Sequence, residues 1–393
     1  MKKLLKNFLI VMLLTIGGLL GVTSAHASSF NFSVNPILPD NQVDKNVGYF
    51  DLLMTPGQKQ TVEVAVSNST DKEVTVEVGI APATTNINGT VEYSPNDIKP
   101  DPTLKHNMKD LAITPGEIKL APKSSQTVKV DVTMPNEAFK GIIAGGITFK
   151  QKSSETDTAT SDQKGVSIKN EYAFAVGLLM RQNPERVSPD LTLNNVFANQ
   201  VNARNVISAN LQNKATGFLN QMIVNAHIKG ITDTSVTFNL LKSMMQMAPN
   251  TNFDLPIPVS IQGALGANTF SEPLKAGKYH LSMVVNGQKD PNGPYKAKDE
   301  QGKEETYLYQ WKFERDFEIT GAKADELNKL DVTIKQGWPW WYWLLMALAA
   351  LLVIFFLFFI LWKRRKKDEE EEEEEGKEAV ANEKIHLEKK DDK

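Results

Sequence analysis

Two stretches of the chain carry nearly the same phrase, and their side-chain period fixes the local structure. TPGQKQTVEVAVSN occupies residues 55–68, and APKSSQTVKVDVTM occupies residues 121–134. When apolar and polar residues alternate with a period of two, a strand has one apolar face and one solvent-exposed face, and β-branched residues favour strands. We therefore predict two strands of one sandwich. We expect six valines to point into its core: Val62, Val64, Val66, Val128, Val130 and Val132.

Short runs of the same kind recur across residues 30–320, separated by turns rich in Asn, Gly and Pro. In the first half we predict strands at 30–34, 49–54, 61–67, 73–80, 127–133, 141–150 and 166–180. In the second half we predict strands at 191–197, 206–211, 218–227, 235–241, 253–261, 279–285 and 307–319. Seven short strands with such spacing are typical of an immunoglobulin-like sandwich. The predicted fold class is therefore all-β, with two tandem immunoglobulin-like β-sandwiches and one C-terminal transmembrane helix.

The boundary between the sandwiches depends on the polar, Ser/Thr/Asp-rich segment at residues 152–164. Such a segment is either a linker or a long hairpin loop. Because it joins two strong strand patterns, we predict a hairpin, which places the domains at 30–182 and 183–320 and not on either side of residue 166. In the second domain, KAGKY at 275–279 predicts a corner in which the Tyr279 hydroxyl bonds back to the chain.

Both ends of the chain have membrane-related patterns. Residues 1–27 are predicted to be a signal peptide, because Lys2, Lys3 and Lys6 precede a short apolar run and an A-x-A site ends at Ala27. Residues 344–361 hold no charge, and with the tryptophans at both ends they extend over about 30 Å as a helix. We predict a transmembrane helix at 338–362, preceded by a stalk at 321–337.

The cluster KRRKK at 363–367 predicts the orientation of this helix. Because basic residues stay on the cytoplasmic side, the tail at 363–393 is predicted to be cytoplasmic and the sandwiches extracellular. The tail also contains an aspartate followed by seven glutamates at 368–375. Such a run is usually solvated, although it leaves open a sensor that signals surface binding through its acidic tail.

Composition excludes several classes of function. The chain has no cysteine, which excludes a disulfide framework and thiolate chemistry, and its net charge of −3 with no basic block in the exported part argues against nucleic acid as a partner. Its histidines are scattered without a metal-ligand spacing, and no nucleophile or phosphate-loop motif occurs. We therefore predict no catalytic, metal or cofactor residues and no enzyme activity. The segment MMQM at 244–247 is compatible with core packing or with an adaptable partner surface.

Several motifs in order resemble one family. They are NVGYFDL at 46–52, PGQ at 56–58, TNINGTVEY at 85–93, F-x-GIIAGGI at 139–147, NEYAFAVG at 170–177 and the strand at 311–319. Together they resemble the WxL-interacting proteins of Gram-positive bacteria, over nearly all of residues 30–320.

This resemblance implies a peptidoglycan-binding domain at 30–182 followed by a host-binding domain at 183–320. It implies peptidoglycan, WxL-domain surface proteins and host extracellular proteins as partners of a single-pass membrane protein at the cell wall. The candidate glycan-binding residues combine aromatic faces with amide groups: Tyr49, Phe50, Asn86, Asn88 and Tyr93. The alternative roles are core packing for the aromatic residues and turn formation for the asparagines.

Overall fold

The computed structural model describes residues 31–152, 173–263, 266, 269–337 and 340–391. The predicted signal peptide and residues 153–164 of the predicted hairpin loop lie outside the described residues. The chain divides into two units, Met1–Thr333 and Ile334–Lys393. The first unit holds both sandwiches, and the second holds the terminal helix.

The first sandwich consists of the strands β1 (Phe32–Ile37), β2 (Phe50–Leu53), β3 (Lys59–Asn68), β4 (Val74–Pro82), β5 (Thr84–Thr85), β6 (Val91–Glu92), β7 (Ala112–Ile113), β8 (Glu117–Leu120), β9 (Ser125–Thr133), β10 (Ile143–Gln151) and β11 (Ala173–Arg181). They form two sheets with strand orders β1-β3-β9-β7 and β2-β11-β10-β4-β8. A short hairpin, β5–β6, and a one-turn helix, α1 (Met108–Leu111), complete it.

The two similar stretches of sequence form neighbouring strands of one sheet. β3 and β9 pair antiparallel, with Val62 opposite Val130 and Val64 opposite Val128. All six predicted valines are buried in the core between the two sheets, which confirms their predicted orientation. Each buried valine stabilises the fold by about 1.5–3 kcal/mol.

β11 belongs to the first sandwich. It pairs antiparallel with β10 from Ile143↔Met180 to Lys150↔Ala173, so the predicted pairing of these two strands is confirmed where the structure describes them. On its other side β11 runs parallel to β2. The sheet therefore continues past the polar segment as far as residue 181.

The second sandwich consists of the strands β12 (Leu191–Val201), β13 (Arg204–Asn213), β14 (Leu219–Gly230), β15 (Thr237–Met247), β16 (Thr251–Pro258), β17 (Gly277–Lys289), β18 (Tyr295–Lys298) and β19 (Glu304–Ile319). They form two sheets with orders β12-β13-β16 and β15-β14-β17-β19-β18. The predicted corner is confirmed, because the Tyr279 hydroxyl donates to the Lys275 carbonyl oxygen at 2.7 Å.

The prediction of a stalk at 321–337 is wrong for most of that segment. Residues Gly321–Leu330 form a helix, α2, whose Ala324 and Leu327 pack into the second core. After the helix, the buried Asp331 carboxylate accepts hydrogen bonds from the Asn205 N–H at 2.8 Å and from Ser260. Apolar residues three apart on a helix share one face, so this segment closes the sandwich instead of spacing it from the membrane.

The terminal helix, α3, runs from Trp340 to Asp391. Within it, Trp340–Glu372 is long and apolar enough to cross a bilayer, judged by length and composition, and the described part of the chain holds one such helix. Its apolar side chains are exposed. This helix covers the predicted span at 338–362 from Trp340 onward.

Candidate functional site

Two tyrosines lie over paired glycines on the outer face of the five-stranded sheet of the first sandwich. Gly146 in β10 is the cross-strand partner of Gly177 in β11. A Cβ atom built on Gly146 would lie 2.6 Å from the Tyr93 Cβ, and one on Gly177 would lie 3.3 Å from the Tyr49 Cβ. The missing side chains therefore let both tyrosines rest directly on the sheet. We call Tyr49, Tyr93 and these two glycines the tyrosine patch.

Both phenols of the tyrosine patch stay neutral at physiological pH. Burial raises the pKa of Tyr93 to about 12, and the nearby Tyr49 adds to this rise. The pKa of Tyr49 is also raised, by burial first and then by the carboxylates of Asp51 and Asp44, while Arg181 opposes the rise. Tyr49 is 38% exposed. A neutral phenol can donate and accept a hydrogen bond beside its ring face, which suits the hydroxyl groups and apolar faces of a sugar.

A buried ion pair holds the edge strand that follows Tyr49. The Arg181 guanidinium donates through Nε to Asp51 Oδ1 at 2.8 Å and through a terminal nitrogen to Oδ2 at 2.7 Å. Burial raises the pKa of the Asp51 carboxyl, although the Arg181 charge acts against this rise. Removing one partner of such a pair leaves the other charged and buried. The pair therefore fixes β2 against β11 next to the tyrosine patch.

The structure also shows where the other three candidate residues lie, Phe50, Asn86 and Asn88. Phe50 is fully buried in the first core, on the opposite face of β2 from Tyr49. The Asn86 side chain accepts from the Asn88 N–H at 2.9 Å and donates to Glu92 at 2.6 Å, so it shapes the turn of the β5–β6 hairpin. Asn88 is exposed at the hairpin tip. The structure thus brings the two tyrosines together and gives Phe50 the alternative role, core packing. The contacts of Tyr49, Tyr93, Asn86 and Asn88 with glycan stay predictions.

The β5–β6 hairpin docks onto the second sandwich. The Gly89 carbonyl oxygen accepts from the Gln246 N–H at 2.7 Å, and Gly89 has a positive φ and lies against the Met245 side chain. In β5, the Thr85 hydroxyl accepts from the Ala248 N–H at 3.0 Å. Met245 is buried at this contact. The methionine segment therefore serves the chain's own core and domain junction, while Met244 within it is 73% exposed.

Asp101 fastens the loop after the hairpin to the second sandwich. Gln212 donates to both Asp101 carboxylate oxygens at 2.9 Å, and Asn252 donates to Oδ2 at 2.5 Å. Thr103 donates to Oδ1 through its backbone N–H at 2.8 Å. Burial alone would raise the pKa of Asp101, but the hydrogen bonds from Thr103, Asn252 and Gln212 outweigh it and lower that pKa. Asp101 is therefore a buried carboxylate that joins the two sandwiches.

A cleft of 390 Å³ lies beside this junction. We call it the junction cleft, and its lining residues are Thr85, Ile87, Ile98, Lys99, Pro100, Pro102, Asn252, Phe253 and Asp254. Its walls come from both sandwiches, so the cleft exists only because the hairpin and the Asp101 loop are docked. Sequence reasoning missed this cleft, Asp101 and the glycine pair, because each feature joins residues that are distant along the chain.

Comparison with known families gives two matches. Residues 32–151 match the peptidoglycan binding domain of WxL Interacting Protein, and residues 163–329 match the host binding domain of WxL Interacting Protein. The second match begins before β11, although β11 pairs within the first sandwich. No curated protein matches the chain.

Solved structures similar to the chain include bacterial fimbrial chaperones. The class 5 fimbriae chaperone CfaA is 14% identical, with 71% of this chain and 100% of that chain covered and a TM-score of 0.27. The Escherichia coli chaperone DraB is 11% identical, with 74% and 96% covered and a TM-score of 0.27. The CsuC–CsuE complex of Acinetobacter baumannii matches at 9% identity, with 58% and 91% covered and a TM-score of 0.28.

Proposed function

Since the chain belongs to the WxL Interacting Protein family, we propose that it is a membrane-anchored scaffold that binds peptidoglycan and holds WxL proteins at the cell wall. Both matched domains are described as binding domains, which supports a role in binding at the cell surface. In this proposal the protein turns over neither partner. Host extracellular proteins are further partners of the second domain.

The observation that carries the peptidoglycan proposal is the tyrosine patch. Tyr49, Tyr93 and Gly146 lie within the peptidoglycan-binding match, whereas Gly177 lies within the host-binding match but pairs with β10 of the first sandwich. The paired glycines let the Tyr93 backbone and the Tyr49 side chain lie directly on the sheet, where Tyr49 remains 38% exposed. Sugar rings are flat on one face and carry hydroxyl groups at their rim, so we assign the glycan strand to this patch. Asn86 and Asn88 in the adjoining hairpin supply amide groups for its edge.

Anchoring follows from the two ends of the chain in this proposal. The signal peptide directs export, the apolar part of α3 crosses the membrane, and the basic residues at 363–367 keep the tail in the cytoplasm. Both sandwiches then face the wall. Two binding modules on one anchored chain raise the effective concentration of each ligand for the other module, so individually weak contacts suffice.

The direct test compares two equally exposed tyrosines. Full-length protein in detergent is mixed with purified peptidoglycan, and the sedimenting fraction is measured. We expect Tyr49→Ala to weaken binding about tenfold, as expected for the loss of an aromatic contact of about 1.4 kcal/mol. The control is Tyr295→Ala, because Tyr295 in β18 is also 38% exposed but belongs to the second sandwich. Equal sedimentation of both variants would remove the tyrosine patch from the proposal.

Two further measurements test the rest of the proposal. Pull-down of wall extract with the full-length protein is expected to recover WxL-domain proteins, and recovery of none would contradict the scaffold role. Incubation with peptidoglycan is expected to release no soluble muropeptides. Their release by the wild-type protein would make it an enzyme.

A further inference from the structure

We infer that the junction cleft binds the peptide stem of peptidoglycan while the tyrosine patch holds the glycan strand. This inference rests on the proposed function, because it assigns a second part of the same polymer to a second site. The site belongs to both sandwiches, and its ligand class is a short extended peptide that carries carboxylate and ammonium groups. Four observations support it: an open strand edge, a pinned proline-rich wall, two opposed charges and a hairpin shared with the tyrosine patch.

The first observation is the open edge of β16. Among the strands that the structure describes, β13 alone pairs with it, on one side. Pro256 and Pro258 lack an N–H, so their backbone positions must face away from β13, as prolines in sheets do. Residues at a spacing of two share this direction, and therefore the N–H and C=O groups of Asn252 and Asp254 face outward at the cleft. An extended peptide can add to such an edge through main-chain hydrogen bonds.

The same prolines limit the length of the ligand. Beyond Asp254 the outward positions of β16 are prolines, which offer no N–H to a partner strand. Main-chain pairing is therefore confined to the stretch that lines the cleft, Asn252 to Asp254. A short peptide fits this edge, whereas a long added strand would lose its hydrogen bonds. The volume of 390 Å³ is also within the ordinary range for small-ligand sites, about 300–1,000 Å³.

The second observation is the wall opposite this edge. It consists of Ile98, Lys99, Pro100 and Pro102 of the first sandwich. Asp101 within it is held by Gln212 and by Asn252 of the edge strand itself, so the wall and the edge are fixed to each other. Proline residues lose little conformational entropy on becoming ordered. The cleft is therefore preformed, which lowers the entropic cost of binding a flexible peptide.

The third observation is the charge on the two walls. Lys99 is exposed, and no described carboxylate forms an ion pair with it. Across the cleft, Asp254 accepts from Asn210 through Oδ1, and no described residue donates to its Oδ2, which leaves that oxygen for a ligand. The side chains therefore offer one ammonium and one carboxylate oxygen, beside the apolar surface of Ile87 and Ile98. Peptidoglycan stems contain free carboxylates and commonly a diamino acid, and so they present the complementary charges.

The fourth observation is the position of the hairpin between the two sites. Thr85 and Ile87 line the cleft, while Tyr93 follows β6 and lies on Gly146 in the tyrosine patch. A single hairpin thus borders both sites. In peptidoglycan the peptide branches directly from the glycan, so one muropeptide presents both parts to neighbouring surfaces. A segment of another protein would fit the strand edge as well as the peptide stem does. Unlike a muropeptide, however, it would not need a sugar site beside the cleft.

The test uses three soluble probes and the full-length protein in detergent. They are the N-acetylglucosamine–N-acetylmuramic acid disaccharide, the free pentapeptide Ala-D-γ-Glu-Lys-D-Ala-D-Ala, and the disaccharide-pentapeptide. Binding is measured by isothermal titration calorimetry for the wild type and for the cleft variants Lys99→Met and Asp254→Asn. The matched control is Lys59→Met, an exposed lysine on β3 in the other sheet of the first sandwich. Thermal unfolding of each variant checks its fold.

We expect the free pentapeptide to bind the wild type, and each cleft variant to bind it about fivefold more weakly, as expected for the loss of one partly exposed charge contact. Disaccharide binding should be unchanged in the cleft variants and in the control. Failure of the pentapeptide to bind, or equal binding by wild type and both folded cleft variants, would overturn the inference. If the pentapeptide binds and the disaccharide does not, the cleft stands and the glycan assignment of the tyrosine patch fails.

Discussion

Replacing Asp101 by alanine tests whether the two sandwiches act as one body. The Asp101 carboxylate accepts hydrogen bonds from Gln212 and Asn252 of the second sandwich, and it is only 4% exposed. Hydrogen bonds to a charged group contribute about 1.5–3 kcal/mol each, and the donors left behind are partly buried. We therefore expect Asp101→Ala to lower the free energy of unfolding by about 3–5 kcal/mol.

Differential scanning calorimetry of the full-length protein in detergent measures this loss. For domains of about 150–250 residues, each kcal/mol of lost stability usually lowers the melting temperature by about 2–4 °C. We therefore expect the melting temperature to decrease by about 6–20 °C. Hydrogen exchange at the Gln246 amide, which donates to Gly89 in the docked hairpin, should accelerate as the junction opens. The control is Asp97→Ala, because Asp97 is an exposed aspartate in the same loop. A melting temperature no lower than that of the control would refute this account.

The effect also has a defined pH dependence. Because hydrogen bonds outweigh burial and lower the pKa of Asp101 in the folded state, its stabilisation is fully present above the pKa of the unfolded chain, about 3.9. It is lost as the pH falls from there through the lower folded pKa. The difference in stability between wild type and Asp101→Ala should therefore be constant near neutrality and shrink below about pH 4. A difference that shrinks already between pH 8 and pH 6 would contradict this assignment.

Three other predictions concern the sandwiches. Gly146→Ala places a Cβ 2.4 Å from the Tyr93 carbonyl oxygen, so we expect about 1–3 kcal/mol of destabilisation and weaker sedimentation with peptidoglycan. In the control Gly321→Ala, the new Cβ meets no atom of the described residues within 4 Å and should change neither quantity. Proteolytic cleavage within residues 157–164 should leave both fragments associated during native gel filtration, because β10 and β11 pair across the cut; their separation would show that the segment is a linker. Tyr279→Phe removes the corner hydrogen bond and should lower the free energy of unfolding in a urea titration by about 1 kcal/mol, while an unchanged value would mean that this bond adds nothing.

Much of the fold could be predicted from the sequence, because strands and membrane helices have local periods. The alternating valines around residues 62–66 and 128–132 determine which face of each strand is buried, and sheet pairing of β3 with β9 satisfies both at once. The corner at Tyr279 is equally local, since its donor and acceptor are four residues apart. The segment at 321–337 was the exception. Its short amphipathic pattern does not reveal which surface it packs on. It forms a packed helix because Ala324 and Leu327 cover an open end of the second core.

The candidate site depends on contacts that no local pattern contains. Tyr49 and Tyr93 were recognisable as aromatic residues, but their meeting depends on β2 and β10 lying on either side of β11, and on a glycine from each of β10 and β11 lying beneath them. In the sequence, Asp101 is an ordinary loop aspartate. Only the structure shows that Gln212, 111 residues later, donates a hydrogen bond to it. Sequence period specifies which side of an element is apolar, whereas the order of strands in a sheet and the docking of one domain on another are chosen by packing between distant segments. The tyrosine patch and the junction cleft both result from this packing between distant segments.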